Sequence, residues 1–252
     1  MELNRSISRW GNSAGILLPK EWAGKEARVI LIDRTLQIRE EVLNILGNYL
    51  EKISGIYLVG SYARREQTDD SDIDIIAIST GLKKEIVSGK YHISLIPLET
   101  IKKTIEKNPL SILPRLNESE TILNKSLLEE IKYPKLNKKS FNAFIRESKS
   151  IIKINEKLLG MNKYEEKLES PEIIYSLILR LRGIFLIKNL LKKEKYSNKE
   201  FLKYLSDNLN ENPQELWQVY KLIKNNKKPK IKIALISAKK LLNLLKEEIK
   251  KW

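Results

Sequence analysis

The stretch Gly55-Ile-Tyr-Leu-Val-Gly60-Ser61-Tyr-Ala-Arg64-Arg-Glu-Gln-Thr-Asp-Asp-Ser71-Asp72-Ile-Asp74-Ile-Ile-Ala-Ile78 decides how this chain is read. Its apolar run, residues 56–59, reads as a short buried strand. The run stops at Gly60-Ser61, where small residues leave backbone N–H groups to face an anion. A helical turn through Ala63 and Arg64 is expected next, its positive end aimed at the same point. After a polar loop the chain re-enters a strand at residues 72–78.

Side chains in that second strand alternate, so Asp72 and Asp74 are expected on one face. Two carboxylates so close repel unless a cation sits between them, and hard oxygen ligands suit Mg²⁺ or Mn²⁺. A phosphate cradle facing a carboxylate pair is the minimum equipment for metal-assisted phosphoryl or nucleotidyl transfer.

Gly60-Ser61, ten residues, then Asp72-x-Asp74 resembles the signature of the polymerase-β-like nucleotidyltransferases, in particular the minimal nucleotidyltransferase group. The flanking Gly-Ser-Tyr-Ala-Arg and Ser-Asp-Ile-Asp match as well. The resemblance implies an α/β (α+β) core that moves a nucleoside monophosphate from an NTP to a hydroxyl or phosphate. It implies that Gly60 and Ser61 hold triphosphate, with Arg64 and Ser71 beside them, and that Asp72 and Asp74 bind metal and catalyse. Catalytic members carry a third carboxylate on a later strand. The matching strand here, Lys90-Tyr-His-Ile-Ser-Leu-Ile-Pro-Leu98, has no acid, and His92 or Ser94 stands in its place. His92, the single histidine, has the chemistry of a base or a ligand; a strand histidine without chemistry is the alternative.

Composition narrows the rest. The 252 residues suffice for two or three small domains. No cysteine is present, which excludes disulfides, thiol catalysis and cysteine-ligated zinc. A net charge of +15 favours polyanionic partners such as nucleic acid or nucleotide triphosphates. The first residues do not read as a signal peptide. Arg180, Arg182 and Lys188 interrupt the longest apolar stretch, so no membrane span is expected. The expected compartment is the cytoplasm.

Residues 1–34 read as a unit of strand 7–10, turn 11–13, strand 15–19, a helical turn from Lys20, and strand 27–33. So small a piece cannot bury a core alone. Ser8-Arg-Trp-Gly-Asn-Ser-Ala-Gly-Ile-Leu-Leu-Pro-Lys-Glu-Trp-Ala-Gly-Lys25 resembles the AbrB/SpoVT-like swapped-hairpin domains. That resemblance implies an interlocked homodimer, with Arg5, Arg9 and Lys20 on DNA phosphates; a dimerisation module without DNA is the alternative.

Between these signatures, residues 35–54 carry apolar positions at helical spacing. Residues 82–88 read as a brief helix or loop, and 116–131 as helix. The nucleotidyltransferase domain is expected over 35–135. From 138 to 252 the pattern is all-helical, a bundle around the strongly apolar helix 173–191. Such a bundle is similar to the substrate-binding domains of kanamycin-nucleotidyltransferase-type enzymes and to HEPN partners. A HEPN-type ribonuclease is excluded, because its motif needs a histidine in the bundle and the single one is His92.

The reading is Mg²⁺-dependent transfer of an NMP, AMP from ATP being favoured, to an acceptor on a protein, an RNA or a small molecule. Its alternative is a dimeric DNA-binding regulator whose nucleotidyltransferase domain senses nucleotide without catalysing.

Overall fold

The computed structural model describes residues 7–29, 34–68, 71–161, 166–231 and 233–252. The chain divides into two compact units, residues 1–41 and 42–252.

In the first unit β1 (Ser8–Trp10) and β2 (Ser13–Gly15) form an antiparallel hairpin with Trp10 opposite Ser13. Gly11 opens the two-residue turn at φ +58°, which only glycine adopts without strain. The second strand is thus earlier and shorter than expected. Residues 16–19 have no regular structure before a 3-10 turn at Lys20–Trp22. Of the third expected strand, residues 27–29 show none and 30–33 lie outside the described residues. Trp10, Leu17, Leu18 and Val29 are exposed. Helix α1 (Arg34–Ile45) runs from this unit into the next.

The second unit opens with a five-stranded sheet. Its strands are β3 (Ile53–Val59), β4 (Ile73–Ser79), β5 (Lys84–Ser88), β6 (Tyr91–Pro97) and β7 (Glu120–Leu123). The order is β5-β6-β4-β3-β7, with β4 and β6 parallel and every other pair antiparallel. A short helix α2 (Gly60–Ala63) follows β3 directly. Helices α3 (Leu98–Lys107), α4 (Leu113–Glu118) and α5 (Lys125–Lys132) follow β6 and flank β7. Both outer strands differ from the sequence reading, which had β5 as a helix or loop and β7 inside a helix. Four or five residues are too few for a period of two to stand out from one of 3.6.

Side chains alternate across the central strands. One face carries Tyr57, Val59, Ile76 and Ile78, which pack with Ile101 and Ile105 of α3, Leu113 and Leu116 of α4, and Leu128 and Ile131 of α5. The other carries Ile56, Leu58, Ile75, Ile93 and Leu95, all buried. Each such side chain contributes roughly 1.5–3 kcal/mol through burial.

Five helices complete the chain: α6 (Asn142–Met161), α7 (Glu172–Lys192), α8 (Asn198–Leu209), α9 (Gln214–Lys224) and α10 (Leu235–Lys250). As its sequence predicts, α7 is the centre. Ile174, Leu177, Ile178, Leu181 and Ile184 are buried against Phe201, Trp217, Leu241 and Leu245 of its neighbours. Farther along the same helix, Ile187 and Leu190 belong to the core on the sheet face. Among the described residues no helix is long and apolar enough to cross a membrane.

Candidate active site

The site forms where β3 ends and β4 begins. Their antiparallel pairing sets Val59 opposite Asp74, so the first residue past β3 arrives beside that carboxylate. Gly60 takes φ +77°, and a Cβ there would stand 2.6 Å from Asp74 Oδ2. Two requirements therefore select glycine, a left-handed backbone and contact with an acid. Ser61 follows in α2 and is partly exposed.

Asp74 lies in β4 and Asp72 just before it, both reached by solvent. On β6, His92 is the register partner of Asp74, and its Nε2 is 3.9 Å from Asp72 Oδ1. Ser94 sits opposite Ile76, one step deeper, and its hydroxyl donates to Glu85 Oε2 of β5 at 2.8 Å. Between the two residues that stand for the missing acid, His92 is the one at the carboxylate pair. Among the described residues no three His, Asp or Glu side chains are close enough together to hold a metal ion between them.

Ser71 is engaged in a turn, accepting the Thr68 N–H at 2.8 Å and exchanging a hydroxyl contact with Thr68 Oγ1 at 3.1 Å. Arg64 turns inward. Its Nη1 donates to Glu118 Oε1 at 2.7 Å and its Nε to Glu66 Oε2 at 2.8 Å. Burial alone would lower the Arg64 guanidinium, but Glu118 and Glu66 hold it above its ordinary value. Glu118 is almost wholly buried, which pushes its carboxyl up, while Arg64 and the Gly60 N–H pull it back in part.

The helical bundle adds further groups to this neighbourhood, bonding to Glu66 through Ser197 and Asn198. Arg182 of α7 donates from Nε to Tyr196 OH at 2.9 Å and lies over that ring at 4.7 Å. Tyr196 OH donates on to Asn198 Oδ1 at 2.7 Å. Lys224, the last residue of α9, feels Arg182, Asp74 and Arg64 together. Burial lowers its ammonium below the usual value, Arg182 and Arg64 add to this, and Asp74 offsets it. Its surface is nevertheless exposed. Arg180, one turn face away, pairs with Glu147 at 3.1 Å instead. A cavity of about 280 Å³ lined by Lys132, Tyr133, Leu190 and Lys193 includes none of the motif residues.

Glu118 and Glu66 escaped the sequence reading. Each lies outside the motif or in its featureless loop, and nothing local marks it. Of the basic residues expected on DNA, Lys20 is exposed, Arg5 lies outside the described residues, and so does the side chain of Arg9.

A glycine-serine turn packed on the second of two alternating aspartates is the arrangement expected of a nucleotidyltransferase. Sequence comparison agrees: residues 40–133 match the family described as polymerase beta, nucleotidyltransferase, and they form a polymerase-β-like nucleotidyltransferase domain. Among solved structures, a nucleotidyltransferase-like protein from Exiguobacterium sibiricum 255-15 is 11% identical, with a TM-score of 0.39 over 85% of this chain and 75% of that one. The spectinomycin adenyltransferase AAD(9) from Enterococcus faecialis, solved with ATP and spectinomycin, is 14% identical, with a TM-score of 0.43 over 86% of this chain and 99% of that one. No curated protein matches.

Proposed function

We propose that this protein transfers a nucleoside monophosphate, AMP from ATP, to a hydroxyl or phosphate acceptor. The observation that carries this reading is the seating of Gly60 on Asp74, which brings the phosphate turn and the carboxylate pair within one side chain of each other. Asp72 and Asp74 fit a hard divalent ion, since Mg²⁺ takes one or two carboxylates and fills its octahedron with water and substrate phosphates. Bound there, the ion would neutralise triphosphate charge and favour the ionised form of the attacking oxygen. Ser61 would donate to the β- and γ-phosphates from the turn. Lys224 supplies positive charge within reach of Asp74, suited to a polyanion held beside that acid. His92 Nε2, beside Asp72, is the group available to take the acceptor's proton.

The test is incubation of the pure protein with Mg²⁺ and each α-³²P-labelled NTP, with and without lysate as acceptor. Label should appear on a discrete acceptor and vanish in both Asp72→Asn and Asp74→Asn. Label that persists in those variants would sink the assignment.

A second reading, a nucleotide-sensing regulator that binds DNA as a dimer through residues 1–34, is favoured by one observation. The position in register with Asp74 on β6 holds His92 and no carboxylate. NTP binding that depends on Ser61, without transfer under any acceptor condition, would select it.

A further inference from the structure

The backbone donor that opens the phosphate turn is already engaged. Gly60 N–H donates to Glu118 Oε1 at 3.1 Å, and the same oxygen accepts Arg64 Nη1 at 2.7 Å. From its Nε, Arg64 reaches Glu66 Oε2 at 2.8 Å, which also accepts Asn198 Nδ2 at 2.8 Å. The other oxygen of Glu66 accepts the Asn198 N–H at 2.8 Å and the Ser197 hydroxyl at 3.3 Å. Asn198 is the first residue of α8, and Ser197 is its N-cap. Glu66 thus places a carboxylate where a helix leaves unpaired N–H groups and positive charge. Every link joins a charged group to a hydrogen-bond partner, the stronger kind, and the Arg64 and Glu118 side chains are largely shielded from water. Glu66 and Asn198, 132 apart in sequence, are bonded directly, and Arg64 carries the link on to Glu118.

We propose that Glu66 is a positioning residue: through Arg64 and Glu118 it ties the start of α8 to the backbone of Gly60, so that the seating of the bundle sets the geometry of the phosphate turn. Its importance for nucleotide rests on the function proposed above; the mechanical link does not. A ligand that shifts α8 changes the affinity of the turn for nucleotide, and nucleotide in the turn changes the affinity for that ligand by the same factor.

Hydrogen exchange on the full chain tests the link without any ligand. In Glu66→Gln, amides 60–63 should exchange at least about 5-fold faster along with amides 198–201, while the centre of α10 keeps its protection. Faster exchange at 198–201 alone would mean that Glu66 only caps α8, and overturns the proposal. Faster exchange everywhere would mean general loosening, and overturns it too. Should Glu66→Gln not fold, Asn198→Ala removes the Nδ2 donor while leaving the carboxylate charge, and 60–63 should loosen in the same direction. Calorimetry with Mg²⁺ and a non-hydrolysable ATP analogue is the second arm, where Glu66→Gln should bind about 5–10-fold more weakly than wild type. A wild type that binds no nucleotide would defeat the proposed function alone, and the exchange data would still decide the link.

Discussion

Gly60 and Asp74 touch across the junction of β3 and β4, with Asp74 Oδ2 occupying the space 2.6 Å from where a Gly60 Cβ would lie. The turn proposed to receive phosphate and the acid proposed to receive metal are therefore set by one contact.

Gly60→Ala should expose that dependence. The φ of +77° costs an alanine roughly 1–2 kcal/mol, and the methyl must push Asp74 aside. Mn²⁺ binding in the presence of nucleotide, followed by electron paramagnetic resonance, should weaken by at least about 10-fold, since a displaced ligand costs more than backbone strain alone. Unchanged metal affinity would show that Asp74 is not a ligand.

His92 stands in register with Asp74 and 3.9 Å from Asp72. His92→Asp puts a carboxylate there and should raise the rate of transfer by about 10-fold or more, within the range that a well-placed acid or base supplies. His92→Ala should lower it. If both substitutions leave transfer unmoved, the histidine is a bystander and the proton goes elsewhere.

Lys224 carries its charge at a cost, because burial and the nearby Arg182 disfavour the ammonium. Lys224→Met should therefore leave the melting temperature level or higher. Affinity for Mg²⁺–ATP should nevertheless fall about 5–10-fold through loss of a cation within reach of Asp74. A variant that is less stable but binds equally well would contradict the placement of Lys224 in the site.

Glu248 offers a pH test away from the site. Burial would raise its carboxyl, but Lys188 and Lys251 pull it below the usual carboxylate value. Lys188 Nζ makes an ion contact of 2.5 Å and Lys251 donates at 2.7 Å. A carboxylate with a depressed folded pKa adds stability that is fully present above its unfolded value of 4.5 and is lost as pH falls through the lower folded value. At neutral pH Glu248→Gln should cost about 1–3 kcal/mol, less than for a fully buried pair because both lysines still reach water. Urea titrations of the two proteins should converge below pH 4.5.

Residues 1–41 leave Trp10, Leu17, Leu18 and Val29 exposed, more apolar surface than so small a unit can hide by itself. The full chain should run as a dimer in size exclusion with light scattering, and Leu17→Lys should give monomer. A wild-type monomer would remove the swapped-hairpin reading.

The motif residues were readable because each is dictated locally. Asp72 and Asp74 share a face by the period of a strand, and Gly60 ends an apolar run. The long helices were readable too, since α7 to α10 each repeat their apolar face over three turns or more. Edge strands β5 and β7 were not, being too short to show a period. Glu118 was invisible for another reason: its partner Gly60 lies 58 residues earlier, and only the packing of α4 beside α2 brings them together. Which of His92 and Ser94 lies beside Asp74 is likewise fixed by the register of β6 on β4.

Helix α7 serves two cores, giving residues 173–184 to the bundle and Ile187 and Leu190 to the face of the sheet. A chain cut near residue 135 would keep the whole stretch that matches the family, yet it would remove two large side chains from the core on the face of the sheet. The unit that evolution can recognise in sequence is thus smaller than the unit that can fold. Sheet and bundle should melt in one transition, and a graft of either onto another protein has to carry this helix with it.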